Sequence, residues 1–234
     1  MGNFFNWTLR ILFYILGLLI LALGIVLSAK VNLGVSPITS ISFCFSIITS
    51  ISFADLTLYL YIVFVIVQVL IHIETKQFKS IPADILQIAV SFLLTRFINF
   101  FDMKIPEFNL SALPNFWGTI TGRIIILLVS VILTGFGASL NLSARLIPNP
   151  GDGIIQAISD ATRKNIGIIK NIFDFFCVII TFAAGLIFAR KIIGLNIGTI
   201  IAMIGVGRVM WLFDKTLTEP IQKLIQINKT KDGE

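Results

Sequence analysis

Between Asn149 and Lys164 the chain reads Asn-Pro-Gly-Asp-Gly-Ile-Ile-Gln-Ala-Ile-Ser-Asp-Ala-Thr-Arg-Lys, the least lipid-compatible stretch of a very apolar sequence. Asn149 is a good N-cap and Pro150 suits the first helical position. Asp152 falls where the acid of a capping box sits. A similar start occurs earlier at Ser36-Pro37, with Thr39 in the position of Asp152. The N-terminus of a short helix carries free N–H groups and a partial positive charge, so it favours an anion or a carboxylate, and nearby glycines let the solute approach. Ser36, Pro37, Thr39, Asn149, Gly151, Asp152 and Gly153 are therefore candidate solute-binding residues. Asp152 has two readings, a helix cap or an acceptor for a proton or cation. Lys170 and Asp174 lie one helical turn apart, which makes them either a self-neutralising pair or a charge relay. Arg145, just before Asn149, would reinforce the positive end of the second short helix, and Lys30 that of the first.

Other chemistries find little material. His72 is the single histidine, so neither a zinc site nor a Ser-His-Asp triad can be assembled in the usual way. Cys44 and Cys177 stand alone in apolar runs and read as small buried hydrophobes. Gly151-Asp152 brushes the Gly-x-Gly-Asp signature of intramembrane aspartyl proteases, with Asp174 as a partner acid, but Asn149 stands where the first glycine belongs. No Gly-x-x-x-x-Gly-Lys run is present, which argues against ATP as a direct energy source. The expectation is no catalytic residue, no metal, no cofactor and no enzyme. Gln68, His72 and Gln87 read as hydrogen-bond partners between helices.

The elements that must hold these residues are membrane helices. At 234 residues, 56% hydrophobic and 13% charged, with mean hydropathy +0.97, the chain is too apolar for a soluble domain, whose charged share is about a quarter. Charge-free runs at 11–29, 31–54, 56–73, 124–144 and 192–207 supply most spans. The first run is long for a signal peptide and Ser28-Ala29-Lys30 is a poor cleavage site, so it reads as structure. The net charge of +6 fits basic residues at span ends and a basic tail against anionic headgroups. No basic face interleaved with aromatics points to nucleic acid.

The chain repeats itself. An offset of 113 residues, the distance from Arg10 to Arg123, also pairs Gly24 with Gly137, Leu33 with Leu146, Pro37 with Pro150, Ile41 with Ile154 and Ser46 with Ser159. An offset of 112 pairs Lys79 with Lys191, Arg96 with Arg208 and Asp102 with Asp214. The reading is an all-α integral membrane protein: repeat 1 over 1–101 with a short helix at 36–50, an interfacial connector at 102–122, repeat 2 over 123–214 with a short helix at 150–163, and an amphipathic basic tail at 215–234. Asp152, Asp160, Arg163 and Lys164 would each cost about 2.5–3.5 kcal/mol at a bilayer centre, so both short helices are expected to re-enter rather than span. Three spans per copy, an odd number, make the copies inverted repeats. Lysine and arginine placement puts both termini on the cytoplasmic side. Arg96 and Arg208 read as membrane-edge residues.

The order and spacing of these elements resembles the YczE/YyaS/YitT-type family of bacterial integral membrane proteins, over nearly the whole chain. Its pattern is met by Gly34-Val-Ser36-Pro37, Gly151-Asp152-Gly153, Arg163-Lys-Asn-Ile166-Gly167, Lys170 with Asp174, and Gly194-Leu-Asn-Ile-Gly198-Thr199. It departs at Thr39, where the family often has an acid. The resemblance implies a multipass inner-membrane protein with transport-like architecture. The functional expectation is a secondary transporter or facilitator of a small polar or anionic solute in the lipid bilayer. The alternatives are the substrate-binding subunit of a multi-component importer and a regulatory membrane scaffold; a homo-oligomer or importer partner subunits would then be its partners.

Overall fold

The computed structural model describes residues 2–218 and 220–221. Eight α-helices follow in order: α1 (Gly2–Lys30), α2 (Pro37–Thr49), α3 (Phe53–Glu74), α4 (Ile81–Lys104), α5 (Ile120–Ser143), α6 (Pro150–Thr162), α7 (Ile166–Ala184) and α8 (Ile197–Phe213). Wider π-type turns extend α7 to Ala189 and α8 to Thr218. Six helices, all but α2 and α6, are long and apolar enough to cross a membrane. The protein is a multi-pass, all-helical membrane protein among its described residues. The tail helix expected from Thr218 lies almost wholly outside them.

Local chemistry sets the boundaries. Pro37 and Pro150 open the two short helices, and Ser50 and Arg163 close them in the left-handed conformation (φ 60° and 53°), each N–H returning to a serine carbonyl four residues back. Both run 13 residues, about 20 Å against a hydrocarbon core of about 30 Å. They end one residue inside the expected limits. Ser52 caps α3 by accepting from Asp55 N–H, and Asn165 caps α7 by accepting from Gly167 N–H. The connector holds a single 3-10 turn, Phe116–Gly118, and Phe108 N–H donates to Lys30 O at 3.0 Å.

Apolar bulk faces outward, as lipid requires: Leu70, Phe175, Phe176 and Ile187 are exposed, whereas Gln68, Ser91, Thr95 and Ser130 are buried. The two helices that begin the copies, α1 and α5, lie antiparallel at the centre. A methyl at Gly24 would sit 2.6 Å from Thr134 N, while Gly17 faces Asn141 and Gly137 faces Leu21. Only hydrogen fits at Gly24 and Gly137, so the two backbones touch.

Contacts recur with the repeat offset. At one end of the bundle, here called proximal, Arg10 donates to the carbonyls of Ala144 (3.2 Å) and Arg145 (3.0 Å). At the distal end Arg123 donates to Val31 O (2.6 Å) and Asn32 O (3.1 Å). Each arginine thus closes the open carbonyl end of the other copy's first helix. Asn32 and Arg145 both take positive φ (50° and 48°). Flanking packing also matches, α3 with α6 and α2 with α7, α1 with α4 and α5 with α8. One match fails: α3 packs along α4, whereas α7 and α8 are not packed against each other.

Candidate functional site

The short helices start with proline, which suits the first helical position because the N–H groups of a first turn have no helical partner. Neither N-cap residue, Ser36 or Asn149, caps a backbone N–H of its own helix through its side chain. The capping box expected of Asn149 and Asp152 does not form. Asp152 N–H instead donates to the Asn149 carbonyl at 2.9 Å, and no described hydrogen bond or ion pair reaches the Asp152 carboxylate. Of the two readings of Asp152, the cap has no support in these contacts.

Ser36, Pro37, Thr39, Gly151 and Asp152 line one cavity of about 80 Å³, together with Tyr61, Lys170 and Asp174. The two N-termini approach so closely that a methyl at Gly151 would lie 3.5 Å from Ile38 Cδ1. α1, α5 and α8 complete the walls through Leu21, Thr134, Ala138 and Met203. Lys170 Nζ bonds Asp174 Oδ2 at 2.9 Å. The other Asp174 oxygen is buried without a partner, and the residue is 1% exposed. A buried carboxylate oxygen left in this condition costs free energy unless a ligand or proton meets it.

Three expected site residues lie elsewhere. Gly153 is buried under α3 and α4: a methyl there would sit 2.6 Å from Gln68 Oε1 and 2.8 Å from Gln87 Oε1. Its role is close packing. Arg145 is exposed at the proximal end in its left-handed turn, and what it offers is a carbonyl for Arg10. Asn149 is buried and does not line the cavity, with Oδ1 unpartnered. Lys30 likewise does not serve the α2 N-terminus, because it pairs with Asp102 (2.9 Å) and Glu107 (3.2 Å).

Tyr61 was not among the sequence candidates, although the 113-residue offset sets it opposite Asp174. Asp84 was also missed. It faces His72 Nδ1 at 2.6 Å, and from it a buried file runs through Gln87 Nε2 to Gln68 Oε1 (3.0 Å) and from Gln68 Nε2 to the Pro150 carbonyl (3.4 Å). The expectation that Gln68, His72 and Gln87 bond between helices holds, and the file fastens the start of α6. The start of α2 is fastened by other means: Ser40 Oγ meets Thr181 Oγ1 at 2.7 Å. Among the described residues no trio of His, Cys, Asp and Glu could hold a metal ion.

Two vestibules flank the cavity. The proximal one, about 440 Å³ between α6, α7 and α8, shares Asp152, Lys170 and Met210 with it. The distal one, about 310 Å³, is lined by Lys30, Asn32, Phe43, Phe53 and Asp102 and shares no lining residue with the cavity. Many lining positions correspond across the copies, Phe53 to Ile166 and Asp102 to Asp214 among them.

A family model described as a family of unknown function (DUF6198) matches residues 8–215. The chain belongs to this family. It is also 27% identical over 164 residues to the uncharacterized membrane protein YczE of Bacillus subtilis (strain 168), a match covering 70% of this chain and 69% of that one. No solved structure matches. The glycines that carried the resemblance have geometric work here. Gly34 takes φ +104° and Gly194 +75°, and their loops pair through Val35 N–H to Gly194 O (3.1 Å) and Gly198 N–H to Leu33 O (2.8 Å). These bonds set the approach to the α2 N-terminus.

Proposed function

We propose that this protein is a secondary transporter or facilitator carrying a small polar solute between the two faces of a bacterial inner membrane, with both ends of the chain cytoplasmic. The two copies are inverted repeats, α2 and α6 are re-entrant, and the cavity at their N-termini is the solute site. One observation carries the reading: the cavity shares Asp152, Lys170 and Met210 with the proximal vestibule and no lining residue with the distal one. That is the arrangement of an alternating-access carrier resting with one side open. The antiparallel contact of α1 with α5 and the exchanged arginine contacts support the inverted repeat. Lys30, bridging Asp102 and Glu107 in the distal vestibule, is the distal latch.

Accessibility tests it. In a background lacking Cys44 and Cys177, a Ser36→Cys protein in sealed vesicles should react with an impermeant thiol reagent from the proximal face only. Adding Lys30→Gln should produce labelling from the distal face as well, because it breaks both ion pairs of a side chain only 14% accessible, and even a screened pair is worth about 0.2–1 kcal/mol, enough to raise a minor state severalfold. Labelling of Ser36→Cys from neither face in either protein overturns the proposal.

A further inference from the structure

The cavity carries a different sign on each wall. On the α6–α7 wall stand two carboxylates and one ammonium, the only charged side chains lining the space among the described residues. Lys170 is committed to one oxygen of Asp174. The second oxygen of Asp174 is buried and unpartnered, and the Asp152 carboxylate accepts no described hydrogen bond. This wall holds one carboxyl group more than it has cations, and an orphan acceptor. Across from it is the α2 N-terminus, which has no acid in its first turn and no side-chain cap. Its two hydroxyls, Ser36 Oγ and Thr39 Oγ1, lie 2.8 Å apart. That wall offers N–H groups, the positive end of a helix dipole and two hydroxyls, bonded to each other and from Thr39 to the Ser36 carbonyl at 3.1 Å, that can turn to donate to a solute.

We infer that the solute is a small zwitterion with an ammonium group and a carboxylate, the ammonium on Asp152 and Asp174 and the carboxylate on the α2 N-terminus with Ser36 and Thr39. The inference rests on the transport reading of this cavity and supplies its substrate class. A simple anion would meet the surplus carboxylates. A simple amine would leave the α2 end unfilled, and a proton on Asp152 would cancel charge while doing nothing for that end. Size agrees: about 80 Å³ takes on the order of six water-sized groups, the scale of the smallest amino acids. Larger side chains would extend toward the proximal vestibule past Met210.

The test compares matched probes on the unaltered full chain in detergent: L-alanine, β-alanine and 4-aminobutyrate as zwitterions of increasing charge separation, with propionate and propylamine as their single-charge halves. A ligand of the folded state raises the apparent Tm. At least one zwitterion should raise it at millimolar concentration, with neither propionate nor propylamine doing so at the same concentration. Asp152→Asn should lose that shift and acquire one with propionate. A shift with propionate alone, with propylamine alone, or with none of the five overturns the assignment. Uptake by protein-containing vesicles separates the two claims: uptake of propionate or propylamine keeps the transporter and removes the zwitterion. A zwitterion that binds but is never taken up keeps the site and removes transport.

Discussion

The two copies share a scaffold and differ in what they put at its centre. Position for position, Thr39 corresponds to Asp152, Thr57 to Lys170 and Tyr61 to Asp174. Every charge on the cavity wall therefore comes from the second copy, while the first contributes hydroxyls and an uncapped helix end. A symmetric pair of short helices would give a cavity of one sign. The difference between the copies gives it two, without moving a helix boundary: α2 and α6 begin and end at equivalent residues.

The copies also differ in how their short helices are secured, and this gives the largest expected effect. α6 is tied to α3 and α4 through the His72–Asp84–Gln87–Gln68 file, whereas α2 is tied to α7 by Ser40 and Thr181. Removing one member of a buried pair leaves its partner buried and unpaired, typically at about 3–5 kcal/mol. Asp84→Ala should accordingly destabilise the protein by about that amount, and thermal unfolding in detergent measures it. Ser40→Ala should cost about 1 kcal/mol, the net value of a neutral hydrogen bond. Equal losses would erase the distinction between the two anchorages.

Where the copies are alike, their variants should match. Gly24→Ala and Gly137→Ala each push a methyl into the other copy's backbone, so each should cost about 1–3 kcal/mol, the usual range for overpacking. The same unfolding assay should give the two losses within about 0.5 kcal/mol of each other. A gap of more than twice that would mean that the α1–α5 contact is not equivalent from its two sides.

Much of this was legible in the chain because it is written in local chemistry or in the offset. Pro37 and Pro150 announce the short helices, charge-free runs announce four of the six spans, and Arg10 with Arg123 announces the repeat. What sequence could not supply was which side of a short helix each residue faces. Gly153 and Gly151 are two residues apart, yet one packs under Gln68 and the other opens on the cavity, because successive helical positions turn by about 100°. Arg145 was misplaced for a related reason. Its left-handed turn directs the chain, and nothing in residue type distinguishes that from a charge aimed at the next helix. Asp84 was invisible because its partner His72 is on another helix, although both sit near the ends joined by one short turn.

The hairpins show the subtlest difference, and it is traceable to one residue. α3 and α4 are packed together, and at their distal ends Arg96 pairs with Asp55 at 2.8 Å. In α7 and α8 the equivalent of Arg96 is Arg208, but the equivalent of Asp55 is Ile168. No acid is there to draw the hairpin shut, and α7 and α8 stand apart with the proximal vestibule between α6 and them. Ile168→Asp restores the missing partner in the second copy. The first pair is exposed, with side-chain accessibilities of 42% and 43%, so the added pair should contribute about 0.2–1 kcal/mol. That is a small stabilisation but a population shift of up to about fivefold toward a closed hairpin. Spin labels at Phe175 and Met203 would read it as a shorter α7–α8 distance. Impermeant reagents should also reach Ser36→Cys more slowly from the proximal face, and Arg208→Gln in the same protein should undo both changes. An unaltered distance distribution in Ile168→Asp would mean that the gap between α7 and α8 is held by packing against α2 and α5, with the missing acid irrelevant to it.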